Sequence, residues 1–122
     1  MAKEYQEVKI NAVTLHARVC ARWYERMLGY MFVPPREKPD AIVFVLPKKS
    51  RAGVHMCFVW FPLDVYWLDE NGVVIERRLF LRPYRFAKPK VAARYILEVP
   101  PEKHVRLSVG ERCLIPFLRN SR

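Results

Sequence analysis

Asp64 lies within Leu63-Asp64-Val65-Tyr66-Trp67-Leu68, and a carboxylate set among side chains this apolar is the best candidate for chemistry in the chain. Left buried and unpaired it would be very costly, so it must either accept hydrogen bonds or open onto a solvated pocket. A pocket of that kind tunes a carboxyl pKa and suits a general base or a ligand-binding group, whereas a structural Asp would cap a turn or pair with an arginine. Arg26 and His55 are the groups expected beside it. The Arg26 guanidinium suits an anion, or forms an internal bridge to Asp64 or Glu98, and the internal bridge is the simpler reading. His16, His55 and His104 lack a close ligand spacing such as His-x-x-x-His, so no metal is expected, and nothing calls for a cofactor.

Cys20, Cys57 and Cys113 form no Cys-x-x-Cys pair, which points to free thiols in a reducing cytoplasm or, as occurs inside hyperthermophiles, to one disulfide with an odd thiol left over. Cys57 sits between Met56 and Phe58-Val59, a setting typical of an inert, buried thiol. A second kind of chemistry is offered by the run Arg77, Arg78, Arg82, Arg85, Lys88, Lys90 and Arg94, interleaved with Phe80, Tyr84 and Phe86. Guanidinium groups pair with phosphates while rings stack on bases, so this run reads as an RNA-contacting face, although a solvated basic surface has the same composition. Phe58, Trp60, Phe61, Tyr66 and Trp67 would also offer stacking surfaces, but a domain of this size needs most of them for its core. The 4 glycines, at 29, 53, 72 and 110, are too dispersed for a phosphate loop or a nucleophile elbow.

The elements that must position these residues read mainly as strands. Val8 to Val19 alternates loosely and suits one half-buried strand. Arg22 to Leu28 forms a short helix ended by Gly29, after which Tyr30-Met31-Phe32 packs inward and Pro34 to Pro39 is a loop. Ala41 to Leu46 is a nearly continuous apolar run and therefore a strand covered on both faces. A basic turn, Lys48 to Gly53, leads to a further strand from Val54. Leu63 to Leu68 and Val73 to Phe80 form a hairpin about Asn71-Gly72, which supplies the positive φ angles of a tight turn. Arg82 to Lys90 is a loop, Tyr95 to Val99 a strand, Val109 to Arg112 a turn, and Cys113 to Leu118 a last strand. The fold class is mainly β: a small closed or partly closed β-barrel or sandwich with one short helix.

One domain, residues 1 to 122, with a frayed tail at 119 to 122, accords with 122 residues of which 52% are hydrophobic. A formal charge of +10 favours acidic partners. Charged side chains replace amides and hydroxyls, and 10 prolines accompany only 4 glycines, a pattern of thermophile proteins that also accounts for part of the charge. The N-terminal residues lack the apolar segment of a signal peptide, and no run is long enough for a membrane span, so the expected location is cytoplasmic.

The order Arg26-Met27-Leu28-Gly29-Tyr30-Met31-Phe32, His55-Met56, Pro62-Leu63-Asp64-Val65, Leu68-Asp69, Gly72-Val73-Val74, Tyr95-Ile96-Leu97-Glu98 and Val109-Gly110-Glu111 resembles the uncharacterised prokaryotic family called domain of unknown function 192. The resemblance runs from about residue 15 to 115. It implies a compact β-barrel or sandwich with no established activity, and its motif residues fall here on Arg26, Gly29, Met31, Met56, Pro62, Leu63, Asp64, Gly72, Glu98 and Gly110. The chain departs from it at Cys57-Phe58-Val59-Trp60, where the family carries a polar segment, and at Glu111, where it carries Asp.

Three functions follow as expectations. The first is a non-enzymatic domain binding a small ligand or a protein partner in a cleft near Asp64, with Arg26, His55 and Glu98 as its other candidates. The second is nucleic-acid binding through Arg77 to Arg94, and the third a hydrolase-like reaction at Asp64. An oligomer would require an exposed strand edge, which the sequence does not specify.

Overall fold

A computed structural model describes residues 5–115. The first segment is a hairpin rather than one strand: β1 (Tyr5–Ile10) pairs antiparallel with β2 (Val13–Cys20) from Tyr5↔Arg18 to Ile10↔Val13. Asn11 makes the reversal with φ 56°, a left-handed conformation that Asn tolerates better than most residues. Helix α1 (Trp23–Leu28) follows; the Glu25 carboxylate accepts the Arg22 N–H at 3.1 Å, and the Gly29 N–H closes the last turn on the Glu25 carbonyl at 3.0 Å.

Strand β3 (Ala41–Ser50) runs on through Lys48 to Ser50, where a basic turn was expected, because Ser50 still pairs with Ala93 beyond a bulge. It is covered on both faces, Ile42, Phe44 and Leu46 entering one apolar cluster and Ala41 and Val43 the other. The apolar run from Val54 does not make a long strand: β4 is only Val54–His55, and the chain then turns so that the Val59 N–H meets the Met56 carbonyl. Strands β5 (Leu63–Leu68) and β6 (Val74–Leu81) form the expected hairpin. Its turn is held by the Asp69 carboxylate, which accepts the N–H groups of Asn71 and Val73 at 2.8 and 3.0 Å, with Gly72 at φ 82°. The expected loop from Arg82 contains β7 (Phe86–Ala87), paired with β4, and β8 (Ala93–Val99) precedes Pro100.

The main sheet has the order β1-β2-β3-β8-β5-β6, antiparallel except between β2 and β3. Its outer strands do not pair with each other, so no closed barrel forms. Residues 110–114 link them instead: the Cys113 N–H reaches the Gly72 carbonyl at 2.9 Å, the Val74 N–H reaches the Glu111 carbonyl at 2.8 Å, and Leu114 exchanges two hydrogen bonds with Lys9. The sheet is thus a partly closed one. Of the expected last strand, Leu114 contributes an isolated bridge to Lys9, while residues 116–118 and the tail at 119–122 lie outside the described residues; Arg112, in the expected turn before it, bridges to Val73. No helix among the described residues is long and apolar enough to cross a membrane.

Each face of the sheet carries its own core, Val8, Tyr66, Leu97 and Leu107 on one side and Tyr30, Ile42, Leu63, Trp67 and Ile96 on the other. Phe61, Tyr66 and Trp67 are buried as the composition required, whereas Phe58 and Trp60 are exposed. Of the three residues expected to pack inward after the helix, Tyr30 does so and Phe32 turns outward.

Candidate functional site

Strand β8 is the centre of the site because every residue from Tyr95 to Val99 is buried, leaving its one carboxylate no route to solvent along the strand. Tyr95, Leu97 and Val99 enter the first core and Ile96 the second, so alternation turns Glu98 toward the side of Ile96. There it stands between its cross-strand partners Ile42 and Val65, both in the second core. A cavity of about 130 Å³ opens beside it, lined among others by Arg26, Gly29 and Tyr30 at the end of α1, Phe44 on β3 and His55 on β4.

Glu98 is 4% exposed and accepts no hydrogen bond and makes no ion pair among the described residues. Burial alone pushes its carboxyl up to about 8, so at neutral pH it stands mostly protonated. It can then donate a hydrogen bond into an apolar cavity, or ionise when a cation arrives. Tyr30 donates its hydroxyl to the Pro39 carbonyl at 3.0 Å, and burial, followed by the negative charge of Glu98, holds that phenol well above its usual range. The expected bridge from Arg26 to a carboxylate is not made: the guanidinium donates to the Ala21 carbonyl at the start of the helix. His55 is exposed at the cavity and its Nδ1 accepts the Cys57 N–H at 3.3 Å.

Gly29 shapes this cavity. Its backbone takes φ 46°, and an added Cβ would lie 2.9 Å from Phe44 Cζ. Gly29→Ala is expected to destabilise the protein by about 1–3 kcal/mol through backbone strain and this clash. Thermal unfolding checks it, and an unchanged Tm would show that the turn relaxes freely.

Asp64 belongs elsewhere, and the cleft expected to unite it with Arg26 and His55 does not exist. Its neighbours Leu63 and Val65 face the second core, so Asp64 faces the first, on the opposite side of the sheet from Glu98. It is 4% exposed and accepts the Phe80 N–H at 2.8 Å. The register between β5 and β6 slips from Leu63↔Leu81 to Val65↔Arg78, a bulge in which Phe80 takes φ 54°. The carboxylate therefore satisfies the donor that the bulge frees. Burial pushes the Asp64 carboxyl up, against the Phe80 N–H and the nearby Arg106 and Arg77, which pull it down.

The basic run is not one surface. Arg77 donates to the Leu107 carbonyl at 2.7 Å, and the half-buried Arg94 places its guanidinium over the Tyr95 ring at 5.4 Å. Arg78, Arg82, Arg85, Lys88 and Lys90 are exposed, the last with its backbone N–H on the Glu76 carboxylate at 2.8 Å. Cys57 is exposed rather than buried, because it lies in the turn after β4, while Cys20 and Cys113 are buried. No cluster of three or more potential metal-ligating side chains occurs among the described residues.

The residue pattern gave Glu98 as a partner for Arg26, as a motif residue and as a secondary candidate beside Asp64, not as the centre of a site of its own. Strand parity was the signal that would have moved it to the centre, since Tyr95-Ile96-Leu97-Glu98-Val99 alternates about a carboxylate. The aromatic side chains that face outward, Phe32, Phe58, Trp60 and Tyr84, had no such signal, because in sequence they are indistinguishable from core residues.

The sequence model of domain of unknown function 192, described as an uncharacterized ACR, matches residues 6–115. The chain is 40% identical over 85 residues to a UPF0127 protein of Pyrococcus horikoshii, covering 68% of this chain and 70% of that one. It is 37% identical over 108 residues to a UPF0127 protein of Pyrococcus furiosus, covering 85% and 90%. The ion-rich, amide-poor composition accords with such thermophilic relatives. The crystal structure of a candidate transcription regulator from Sinorhizobium meliloti superposes with a TM-score of 0.79 over 93% of this chain and 94% of that one, at 19% identity, a likeness of fold.

Proposed function

From the premise that this chain belongs to the family of domain of unknown function 192, whose name assigns no chemistry, we propose that it binds a small organic ligand in the cavity floored by Glu98. The observation that carries this reading is a buried carboxyl facing a cavity without a protein partner. No Glu98 oxygen is among the fully buried, unpartnered side-chain atoms of the described residues, which are Arg18 Nε and Arg94 Nη1, so the carboxyl opens onto the cavity and what meets it there is a ligand or an ordered water. The cavity's 130 Å³ is close to the roughly 150 Å³ of an apolar cavity that accepts benzene. The ligand is therefore of about benzene size, mostly apolar, with one hydrogen-bonding head group that meets Glu98, and Arg26 and His55 stand where a polar substituent would leave the cavity.

This reading takes the place of the Asp64-centred cleft, since Asp64 has neither Arg26 nor His55 beside it. The test is a ligand-detected NMR screen of benzene-sized alcohols, amides, amines and acids against the protein and against Glu98→Leu, with circular dichroism confirming that the variant is folded. Fragments carrying a head group are expected to bind the protein at one shared site and to lose binding at least tenfold in Glu98→Leu. Fragments that bind both proteins equally, or a screen in which nothing binds the parent, would overturn the reading.

A further inference from the structure

Four aromatic side chains on three separate segments meet at the surface. Phe32, Phe58, Trp60 and Tyr84 are 53%, 46%, 49% and 60% exposed. Phe32 and Phe58 stack at 4.9 Å with planes 22° apart, Trp60 meets Phe32 edge-on at 6.4 Å, and Tyr84 meets Phe58 edge-on at 6.0 Å. Their backbones are locked together as well: the Phe32 N–H donates to the Phe58 carbonyl at 2.9 Å, and the Tyr84 N–H to the Met56 carbonyl at 2.8 Å. Phe32, Phe58 and Tyr84 have φ of 64°, 58° and 63°, a left-handed conformation in which bulky residues are genuine outliers. Each of the three stands in a turn whose left-handed position glycine or asparagine would take with less strain, so a bulky ring kept there and held out of the core points to a role outside the fold.

Charge decides the partner. Tyr84 sits in a turn closed by the Arg85 N–H on the Arg82 carbonyl at 3.2 Å, and the side chains of Arg82 and Arg85 are exposed with no ion pair among the described residues. A second copy of the chain would bring a charge of +10 against +10, which opposes self-association through this face. Rings that present faces and edges beside unpaired guanidinium groups are complementary to unstacked bases on a phosphate backbone. We propose that this aromatic platform, with Arg82 and Arg85, binds single-stranded RNA. The site is smaller than the whole Arg77 to Arg94 run, because Arg77 and Arg94 are held by Leu107 and Tyr95. Its rings do not line the Glu98 cavity but adjoin it, since Met31, beside Phe32, and Val59, between Phe58 and Trp60, are among the residues that do.

Fluorescence anisotropy with a labelled 12-nucleotide oligouridylate and a duplex RNA of equal length, at salt from roughly 50 to 300 mM, tests the proposal. The single strand is expected to bind more tightly than the duplex, and Phe58→Ala with Tyr84→Ala to weaken it on the order of 10- to 100-fold, as loss of base stacking does. Phe58→Tyr, which keeps a ring, is expected to retain binding. Arg82→Glu with Arg85→Glu should lower the slope of log affinity against log salt, by about 1.4 if two phosphate contacts are lost. The exposed Cys57 thiol, next to Phe58, is expected to react more slowly with a thiol reagent when the single strand is bound. Equal affinity for single strand and duplex, or Ala variants that stay folded and bind as the parent does, would overturn the proposal. So would an acidic peptide or anionic vesicles that engage the same aromatic side chains while the oligonucleotide does not.

Discussion

Glu98→Gln is expected to stabilise the protein at neutral and alkaline pH and to remove most of a pH dependence that the parent shows between about pH 5 and pH 8. The sign follows from the direction of the shift. In the unfolded chain this carboxyl titrates at its ordinary 4.5, and in the folded protein at about 8. Below the lower value both states are protonated and Glu98 imposes no ionisation penalty. Between the two values only the unfolded chain has released its proton, so stability falls by roughly 1.4 kcal/mol for each pH unit and levels off above the upper value. The total is on the order of 3–5 kcal/mol, a large share of the stability of a small domain. Glutamine keeps the shape and cannot ionise, so the variant's profile should be flatter. Denaturant unfolding at pH 5, 6.5 and 8 checks this, and a parent profile that is flat or rises across the window would show that Glu98 is ionised and paired in the fold.

Asp64→Ala is expected to cost about 1–3 kcal/mol, the penalty for leaving a partly buried N–H at Phe80 without its acceptor. The bulge of β6 depends on that bond, because the extra residue between Leu81 and Arg78 leaves the Phe80 amide outside the ladder. Asp64→Asn should recover part of the loss, since its amide oxygen can still accept. Both variants are expected to bind fragments in the Glu98 cavity as the parent does, the two carboxylates being on opposite faces of the sheet. Unfolding by urea together with the fragment titration measures both effects. Loss of fragment binding in a folded Asp64→Asn would join the two sites and contradict this assignment.

The pattern of apolar residues was enough to specify a mainly β chain with one short helix, the β5–β6 hairpin and a β3 covered on both faces; of the Asn71-Gly72 pair expected to supply positive φ in the hairpin turn, Gly72 does so and Asn71 does not, the turn running from Asp69 to Gly72. These features are local: period, turn chemistry and the left-handed residue after α1 are properties of consecutive residues. The hairpin of β1 and β2 was within the same reach, because Asn11 can make the turn, but the alternation on both sides of it reads equally well as one strand. The family, too, was legible from the order of its motifs.

Which carboxylate faces a cavity was decided by tertiary structure. Asp64 and Glu98 look alike in sequence, each a single acid in a run of apolar side chains, and only the pairing of Val65 with Glu98 and of Asp64 with Val99 shows that they point to opposite sides. Long-range backbone bonds likewise turned Phe32, Phe58 and Tyr84 outward, and the Leu107 carbonyl removed Arg77 from the basic surface. Residue type sets the cost of burying a side chain or of bending its backbone, and is written in the chain. Whether another segment arrives to accept a proton, cover a ring or leave it bare depends on strand register and crossover, which no run of neighbouring residues contains.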